Sequence, residues 1–362
     1  MPPWRLEAAA ENLLGTGDLA TFDGAEITIS LASVIERGGK RAARSTLADA
    51  HRQTAELMRE GRQLDILAEV ARRYLDAAAA HALAALLRED LTQRERLLQA
   101  ALQRRRAGIE QEAAPLSADA QRARTAAELE QSVRRAQHAR QRLAVLWGST
   151  AADFSIVPAD FDQLPPVPSY QRVAGLLADT PELKWFAHES RLREARLQLA
   201  RTSSIADIDW QVGVRRLESG SDFGLVGSIS IPLGSAARAD SGIRAADAEL
   251  AAIAFEREGR ERILQSTLVE AWAQIDLATT QAQRIDREVI PALNRAAEAA
   301  ERSYRAGASS LLEWNQMQVE IVAARRERLD AALTAYRGLI ELQRLTGQTF
   351  SVGTPQAGGA TP

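Results

Sequence analysis

Side chains that could perform chemistry are few and scattered in this sequence. The histidines are His51, His81, His138 and His188. No two of them lie three or four residues apart, the spacing that places two metal ligands on one face of a helix. We therefore interpret them as helix-surface residues and predict no metal site. The sequence has no cysteine, which excludes disulfides, zinc thiolate sites and thiol catalysis.

Patterns for nucleophilic catalysis and nucleotide binding are also missing. Ser228 and Ser230 have no neighbouring base, and the glycines between Gly227 and Gly234 do not form a phosphate-binding loop. The net charge of -3, from 45 basic and 48 acidic residues, gives no nucleic-acid signal. We expect no enzyme activity, no cofactor and no bound nucleic acid.

The elements of this chain are predicted to be mostly long helices. Aromatic residues make up 5% of the sequence, and no proline lies between Pro3 and Pro115. A helix is predicted over 40–106, about 100 Å long at about 1.5 Å per residue, with a second one over 117–146 antiparallel to it. No apolar run reaches the roughly 18 residues of a transmembrane helix, so any membrane residence would have to come from strands.

Two segments alternate apolar and polar residues with the period of two that is typical of a strand with one apolar face. They predict β-hairpins over 4–35 and 207–233, with strands of about ten residues, long enough to cross a bilayer when tilted. The alternative is a soluble hairpin, whose apolar face would pack into a protein core. The positions expected to face lipid in a membrane are Trp4, Leu6, Ile27, Ile29, Trp210, Val212, Ile229 and Ile231.

The two halves of the chain repeat each other. Arg59–Arg62 recurs as Arg257–Arg260 after 198 residues, and the Arg-Ala-Gly ending at Gly108 recurs ending at Gly307 after 199 residues. Each half is therefore predicted to contain a β-hairpin, a long helix, a tight tip at the Arg-Ala-Gly and a returning helix.

The repeat defines the predicted organisation. It has a first repeat over 1–148, a proline-rich linker over 149–169, a second repeat over 170–350 and a disordered tail over 351–362. Helices of the second repeat are predicted over 170–202, with an interruption around 179–181, and over 238–305 and 310–346. The helix over 170–202 has no counterpart in the first repeat, because the sequence starts directly at the first strand. The N-terminal helix and a signal peptide are thus predicted to be absent from this sequence.

Two hairpins supply four strands, too few to close a barrel, since the smallest membrane-spanning barrels have about eight. Open strand edges leave backbone groups that lipid cannot satisfy. If the strands lie in a membrane, the chain must oligomerise.

Three segments carry a resemblance to a known family. They are Ile35–Arg41 after the first hairpin, Ser228–Gly234 at the end of the second hairpin, and Ile290–Gly307 leading to the second tip. Together with the repeat, they resemble the TolC-type outer-membrane efflux channels, in particular the heavy-metal branch typified by CzcC and CusC. The resemblance covers nearly the whole chain, with Arg37 where the metal-efflux members usually have leucine.

The resemblance implies a mainly α fold with a small β part. Long antiparallel helical hairpins would form an α-barrel tunnel in the periplasm, and four strands per subunit would form a twelve-strand transmembrane β-barrel in a homotrimer. It also implies a passive duct of the cell outer membrane that serves a tripartite efflux system for metal cations or drugs. The implied partners are a periplasmic adaptor, an inner-membrane pump and outer-membrane lipid.

The resemblance further implies two sets of site residues. Arg106, Gly108, Arg305 and Gly307, at the two helix tips, are predicted to contact the adaptor.

Glu313 and Gln316, shortly after the second tip, are predicted to form the pore constriction. The alternative for Glu313 is a first-turn glutamate that is favoured by the helix dipole. The alternative function is a soluble periplasmic coiled-coil adaptor or scaffold, in which the hairpins would cap the rod.

Overall fold

The structure, a computed structural model, describes residues 3–13, 16, 24–157 and 159–350. Most of the predicted glycine-rich loop after the first strand lies outside the described residues, as does the predicted tail over 351–362. Among the helices in the described part of the chain, none combines the length and the apolar character needed to cross a membrane.

The described residues form a mainly helical protein with one small sheet, as predicted. In chain order the elements are β1 (Arg5–Glu11), β2 (Glu26–Ile35), α1 (Lys40–Arg106), α2 (Ala113–Ala144), α3 (Tyr170–Gly175), α4 (Pro181–Thr202), β3 (Ile208–Leu217), β4 (Asp222–Ser230), α5 (Ser235–Arg284), α6 (Ile290–Arg305) and α7 (Leu311–Thr346).

The four strands form one antiparallel sheet in the order β1-β2-β3-β4, so the two hairpins lie side by side. Ile29 of β2 lies opposite Ala8 of β1 and Val214 of β3. Val214 in turn lies opposite Leu225 of β4. Because side chains alternate between the faces of a strand, this pairing gathers the apolar positions of all four strands on one face.

The first compact unit comprises Met1–Arg59 and Leu183–Arg260, and it contains the sheet. Asp207, just before β3, holds the start of α1. Its Oδ1 accepts a hydrogen bond from the Arg37 N–H at 3.0 Å and lies 2.7 Å from Lys40 Nζ. Burial alone would raise the pKa of Asp207, but these two contacts more than offset it, so the pKa is lowered.

The second compact unit comprises Glu60–Glu182 and Glu261–Pro362. Each unit draws on both predicted repeats, and the division into repeats stays a prediction. Within this unit α5 and α7 approach closely at Gly338, where a Cβ atom would lie 2.8 Å from Ile275 Cγ1. The largest group of buried side chains in this unit is Ala68, Ala71, Leu75, Ala78, Ala79, Phe161, Leu329, Ala332, Leu333, Tyr336 and Ile340.

The predicted linker over 149–169 packs on the helices of this second unit. Phe161 is buried against Tyr336, and their ring centroids are 6.1 Å apart. The Tyr336 hydroxyl donates to the Gln163 carbonyl at 2.6 Å, and Trp272 Nε1 donates to the Pro168 carbonyl at 2.8 Å. The linker is therefore anchored by defined contacts on α5 and α7.

The helix predicted over 238–305 is present, but its hydrogen bonding changes locally. A π turn over 285–289 separates α5 from α6 just before Pro291. Proline lacks an N–H and crowds the carbonyl four residues earlier, which accounts for the disturbed hydrogen bonding. Asp286 in this turn accepts a hydrogen bond from Arg328 Nε of α7 at 2.8 Å.

Other predicted helix ends were wrong by a few residues. α2 begins at Ala113 instead of 117, because Pro115 occupies its first turn, where a missing N–H costs no hydrogen bond. The same helix ends at Ala144 and continues as a 3-10 turn over 145–147. α5 begins at Ser235, directly after a glycine with positive φ.

The helix predicted over 170–202, with an interruption around 179–181, consists of α3 and α4, and Pro181 starts the second of them. The end of the second hairpin differs in detail from the prediction. β4 extends from Asp222 to Ser230. Ile231 lies beyond the end of β4, because the following Pro232 has no N–H to donate to a strand ladder.

Candidate functional site at the helix tips and the sheet

The two helix tips have the same backbone conformation. α1 ends at Arg106 and α6 ends at Arg305, while Gly108 and Gly307 have φ of +74° and +79°. In each tip the N–H after the glycine donates to the carbonyl five residues earlier, at 3.0 Å in the first tip and 2.9 Å in the second. This is the Schellman arrangement, which ends a helix at a left-handed glycine. All four predicted residues thus lie at the tips, and their contact with an adaptor stays a prediction.

Side chains join the two tips to each other. Tyr304 of α6 is 1% exposed, and its hydroxyl donates to Glu110 Oε2 of the first tip at 2.9 Å. The Arg104 guanidinium lies over the Tyr304 ring, 4.8 Å from the centroid, and its Nη1 donates to the Tyr304 carbonyl at 2.8 Å. The Trp314 ring of α7 lies 5.7 Å from that of Tyr304. We call Arg104, Glu110, Tyr304 and Trp314 the tip cluster.

The electrostatics of the tip cluster favour a neutral tyrosine beside a charged pair. Burial, followed by the hydrogen bond to Glu110, raises the pKa of Tyr304 above its ordinary value. Arg104 Nε lies 3.5 Å from Glu110 Oε2, close enough for charge attraction but without the geometry of a hydrogen bond. The tip cluster therefore holds the tips together without adding net charge.

The sequence reasoning missed the tip cluster, although its parts lie in segments that it had singled out. Tyr304 precedes the repeated Arg-Ala-Gly of the second tip, and Arg104 begins the arginine run of the first. About 200 residues separate the partners, so periodicity along the chain carries no signal of their contact.

The surface around the tips contains exposed apolar side chains. Ile109 of the first tip and Leu312 of α7 expose 64% and 71% of their surface. A cavity of about 360 Å³ lies between α1, α2 and the start of α7, with Glu110 and Ser310 in its wall. The tips thus present a groove with apolar borders to whatever approaches them.

The predicted constriction residues lie at the start of α7. Ser310 caps the helix, because its Oγ accepts a hydrogen bond from the Glu313 N–H at 3.4 Å. The same Oγ donates to Glu313 Oε1 at 3.3 Å, so the serine hydroxyl links the helix cap to the Glu313 carboxylate. Gln316 Nε2 donates to Glu320 Oε1 at 2.8 Å. Glu313 and Gln316 are both exposed in the single chain, and their role in a constriction stays a prediction.

The predicted lipid-facing residues share one face of the sheet. Trp4 packs edge-on against Trp210, with ring centroids 5.6 Å apart. Trp210 is half-buried, and Ile231 follows the end of β4. The exposed members within or beside the strands are Trp4, Leu6, Ile27, Ile29, Val212, Ile229 and Ile231. Whether this face meets lipid stays a prediction.

The opposite face of the sheet carries a polar network. Arg215 Nε of β3 donates to Thr28 Oγ1 at 3.0 Å, and its guanidinium is also paired with Glu11 and Glu26. Gln211 continues the network along β3. The two faces therefore differ sharply in polarity, as a strand between an apolar and an aqueous phase requires.

The histidines lie on separate helices or far apart on one helix, with His51 and His81 on α1, His138 on α2 and His188 on α4. Within the described residues, no group of three or more histidine, aspartate or glutamate side chains is placed so that it could hold a metal ion.

Known proteins share both the sequence pattern and the fold. The family model described as outer membrane efflux protein matches residues 8–149 and 174–348. The cobalt-zinc-cadmium resistance protein CzcC of Cupriavidus metallidurans is 26% identical over 321 residues, which cover 88% of this chain and 73% of that protein. The solved structure of CusC matches with a TM-score of 0.81 at 18% identity, over 96% of this chain and 84% of that one. The outer-membrane channel OprN matches with a TM-score of 0.79 at 20% identity, over 96% and 82%.

A four-stranded sheet joined to paired helical hairpins, together with these matches, defines an outer-membrane efflux channel. The chain belongs to the outer membrane efflux protein family. The resemblance to TolC-type channels is thereby confirmed, and the CzcC match agrees with the heavy-metal branch. A soluble scaffold is not favoured, since the family match covers both halves of the chain.

Proposed function

We propose that three copies of this chain assemble into the passive outer-membrane exit duct of a tripartite efflux system. The observation that carries the proposal is the sheet, in which β1 and β4 are the two edge strands. In lipid, the outward backbone groups of both edges need partners. Pairing β4 of one copy with β1 of the next, three times around, would close a barrel of twelve strands.

The polarity of the sheet supports this barrel. Its apolar face carries Ile29 and Ile229, which are 56% and 75% exposed in the single chain. Its other face carries the network around Arg215. We propose that the first face meets outer-membrane lipid and that the second lines the water-filled lumen.

Two neighbouring residues in the middle of β4 allow a matched test. Leu225→Lys would place a charge on the proposed lipid face, at a cost of roughly 2–4 kcal/mol near the bilayer midplane. Val226→Lys would place the same charge on the proposed lumen face, where we expect little loss. The measurement is the yield and the mass of the protein extracted from outer membranes in mild detergent. Equal yields of both variants, or a monomer with intact strands, would contradict the barrel.

The helix tips are proposed to contact the periplasmic adaptor, through which the duct would be joined to an inner-membrane pump. Three observations support the proposal. The turns at Gly108 and Gly307 match, the arginines that precede them, Arg106 and Arg305, are exposed, and Ile109, directly after the first turn, is also exposed. Site-specific photo-cross-linking from position 109 should capture the adaptor. Capture from position 109 that is no stronger than from the sheet would contradict the proposal.

The cargo is proposed to be metal cations of the kind named for CzcC. Three copies of Glu313 around a three-fold axis would attract cations and, as like charges, would resist tight closure. Because Gln316 is neutral, this ring would be weaker than one with two acids per chain. Glu313→Ala should therefore lower the cation selectivity of the reconstituted channel, measured from its reversal potential in a salt gradient. An unchanged reversal potential would mean that Glu313 is only a first-turn glutamate favoured by the helix dipole.

The metal proposal has its own test. A host that produces the cognate pump and adaptor, but lacks its own duct, should regain growth in raised cobalt, zinc or cadmium when this chain is supplied. Rescue from drugs without rescue from these metals would overturn the cargo and leave the duct intact. No catalytic step is part of this function.

A further inference from the structure

A buried ion pair lies inside the second compact unit, close to the tips. Asp90 and Arg94 are one helical turn apart on α1, and their side chains are 4% and 7% exposed. Arg94 Nε donates to Asp90 Oδ1 at 3.1 Å, and Thr125 Oγ1 of α2 donates to Asp90 Oδ2 at 3.3 Å. Taking two charges out of water is costly unless their remaining polar atoms are also bonded, so the other contacts of this pair matter.

The remaining contacts of Arg94 reach two other helices. Its Nη1 donates to Gln121 Oε1 of α2 at 3.2 Å and to Asn315 Oδ1 of α7 at 2.5 Å. The guanidinium is a rigid planar fork, so a bond at one nitrogen fixes the directions available to the others. One buried side chain therefore ties α1, α2 and the first turns of α7 in a defined orientation.

The bond to Asn315 has a consequence for its neighbours on α7. A helix turns by about 100° per residue, so Asn315 lies about 200° around the axis from Glu313 and about 100° from Gln316. With Asn315 held toward Arg94, the structure leaves Glu313 and Gln316 exposed. A small rotation of this part of α7 would redirect both side chains.

Packing on the same side of α7 is incomplete. The cavity of about 360 Å³ between the tips has Arg94, Gln121 and Asn315 in its wall. An open cavity offers no close contacts that would hold a helix in one rotation. The hydrogen bond across its edge is therefore a major constraint on this side, whereas Leu311 and Trp314 are buried.

We propose that Arg94 is a positioning residue for the pore constriction: through Asn315 it fixes the rotation of α7 so that Glu313 and Gln316 point into the channel. This inference rests on the proposed constriction. It assigns the selectivity of the duct to a buried side chain of α1 that itself never meets the cargo.

The test compares substitutions at both ends of the bond. Asn315→Leu removes the acceptor, whereas Asn315→Asp keeps an acceptor oxygen on a side chain of similar size. Arg94→Lys keeps the charge beside Asp90 but gives up the planar fork, so it should lose the bond to α7. Each variant is measured for cation selectivity by reversal potential, alone and combined with Glu313→Ala, and the trimer fraction is followed by its mass in detergent.

We expect Asn315→Leu and Arg94→Lys to shift the reversal potential toward that of Glu313→Ala, and Asn315→Asp to retain the potential of the unmodified channel. In the Glu313→Ala background the first two substitutions should cause no further shift. An equal further shift in that background would overturn the inference, because the pair would then act on conduction independently of Glu313.

The outcomes also separate this inference from the function on which it rests. If Glu313→Ala shifts the potential while Asn315→Leu and Arg94→Lys leave it unchanged as intact trimers, the constriction stands and the inference fails. If Glu313→Ala itself has no effect, both fail together. Failure of both bond-breaking variants to form trimers, with Asn315→Asp assembling normally, would make Arg94 an assembly residue and would equally overturn the positioning role.

Discussion

Replacing Tyr304 by phenylalanine should loosen the junction between the two tips while leaving its ring packing in place. The substitution removes the hydroxyl that donates to Glu110 at 2.9 Å. A hydrogen bond to a charged group contributes about 1.5–3 kcal/mol. Because the Glu110 side chain is 16% exposed and Arg104 lies nearby, water and the Arg104 charge will compensate for part of the lost hydrogen bond. We therefore expect the substitution to cost about 1.5 kcal/mol of stability at the tips.

The assay has to report on the tips rather than on the whole molecule. Global melting of a membrane oligomer is seldom two-state, whereas amide hydrogen exchange resolves local opening. About 1.4 kcal/mol corresponds to a tenfold change in an equilibrium constant, so exchange near Gly307 and Leu311 should accelerate roughly tenfold in the Tyr304→Phe protein. Tyr304→Ala should raise it much further, because loss of a buried aromatic ring costs about 3–5 kcal/mol.

A second tyrosine provides the control. The Tyr74 hydroxyl donates to the Val157 carbonyl at 3.0 Å, in the same compact unit but outside the tip cluster. Tyr74→Phe should accelerate exchange around the linker and leave the tips unchanged. Tip exchange in Tyr304→Phe within about twofold of the unmodified protein, with a clear effect of Tyr304→Ala, would show that the ring alone joins the tips.

Three further predictions concern other contacts. Gly108→Val and Gly307→Val strain a left-handed backbone and should weaken cross-linking to the adaptor without unfolding the helices. Gly61→Val is the control, because Gly61 lies in mid-helix with open space around it and its replacement should leave the cross-linking unchanged. Equal cross-linking in all three variants would contradict the docking role. Gly338→Val should cost roughly 1–3 kcal/mol, seen as faster amide exchange around Ile275 and Gly338, because its side chain would collide with α5; unchanged exchange would mean that the helices separate easily. Burial raises the pKa of Glu341, but the hydrogen bonds and charges of two arginines lower it by more, so the net shift is downward from 4.5. The stabilisation of the fold by the Glu341 carboxylate is therefore complete above pH 4.5 and is lost as the pH falls below that value. At pH 7, Glu341→Gln should therefore lower the local free energy of opening around position 341 by roughly 1 kcal/mol, measured by amide exchange. At low pH the variant and the unmodified protein should not differ; a constant difference at all pH values would refute the ion-pair origin.

The parts of the fold that follow local rules were accessible from the sequence. α1 begins and ends where a proline-free, periodic segment lies between positive-φ glycines, and α7 runs from a serine cap to a left-handed glycine. The four strands follow from alternation of apolar and polar residues, which their pairing preserves across the sheet. Such signals are contained within a few turns or one strand, so a single sequence is enough to detect them.

The errors arose where one residue type permits two outcomes. The helix predicted to start at 117 in fact includes Pro115, because the first turn of a helix tolerates proline. Pro291 lies within the helix predicted over 238–305, and the chain accommodates it with a π turn just before it. Which outcome occurs depends on tertiary contacts such as Arg328 with Asp286, 42 residues apart, and these have no periodic signature.

The two interpretations of Glu313, as a helix cap and as a member of a charged ring, use the same carboxylate but do not compete strongly. The Ser310 hydroxyl donates to Glu313 Oε1 at 3.3 Å and accepts from the Glu313 N–H at 3.4 Å, and both distances are long for hydrogen bonds. Only one carboxylate oxygen is engaged, so the serine holds the carboxylate loosely. The position at the start of α7 nevertheless attracts a carboxylate, because the unpaired N–H groups there carry partial positive charge. The same partial charges would lessen the repulsion among three like charges at a proposed three-fold constriction. A glutamate in the first turn of a helix is therefore better suited than one in mid-helix to a charged ring, and the local cap supports the ring.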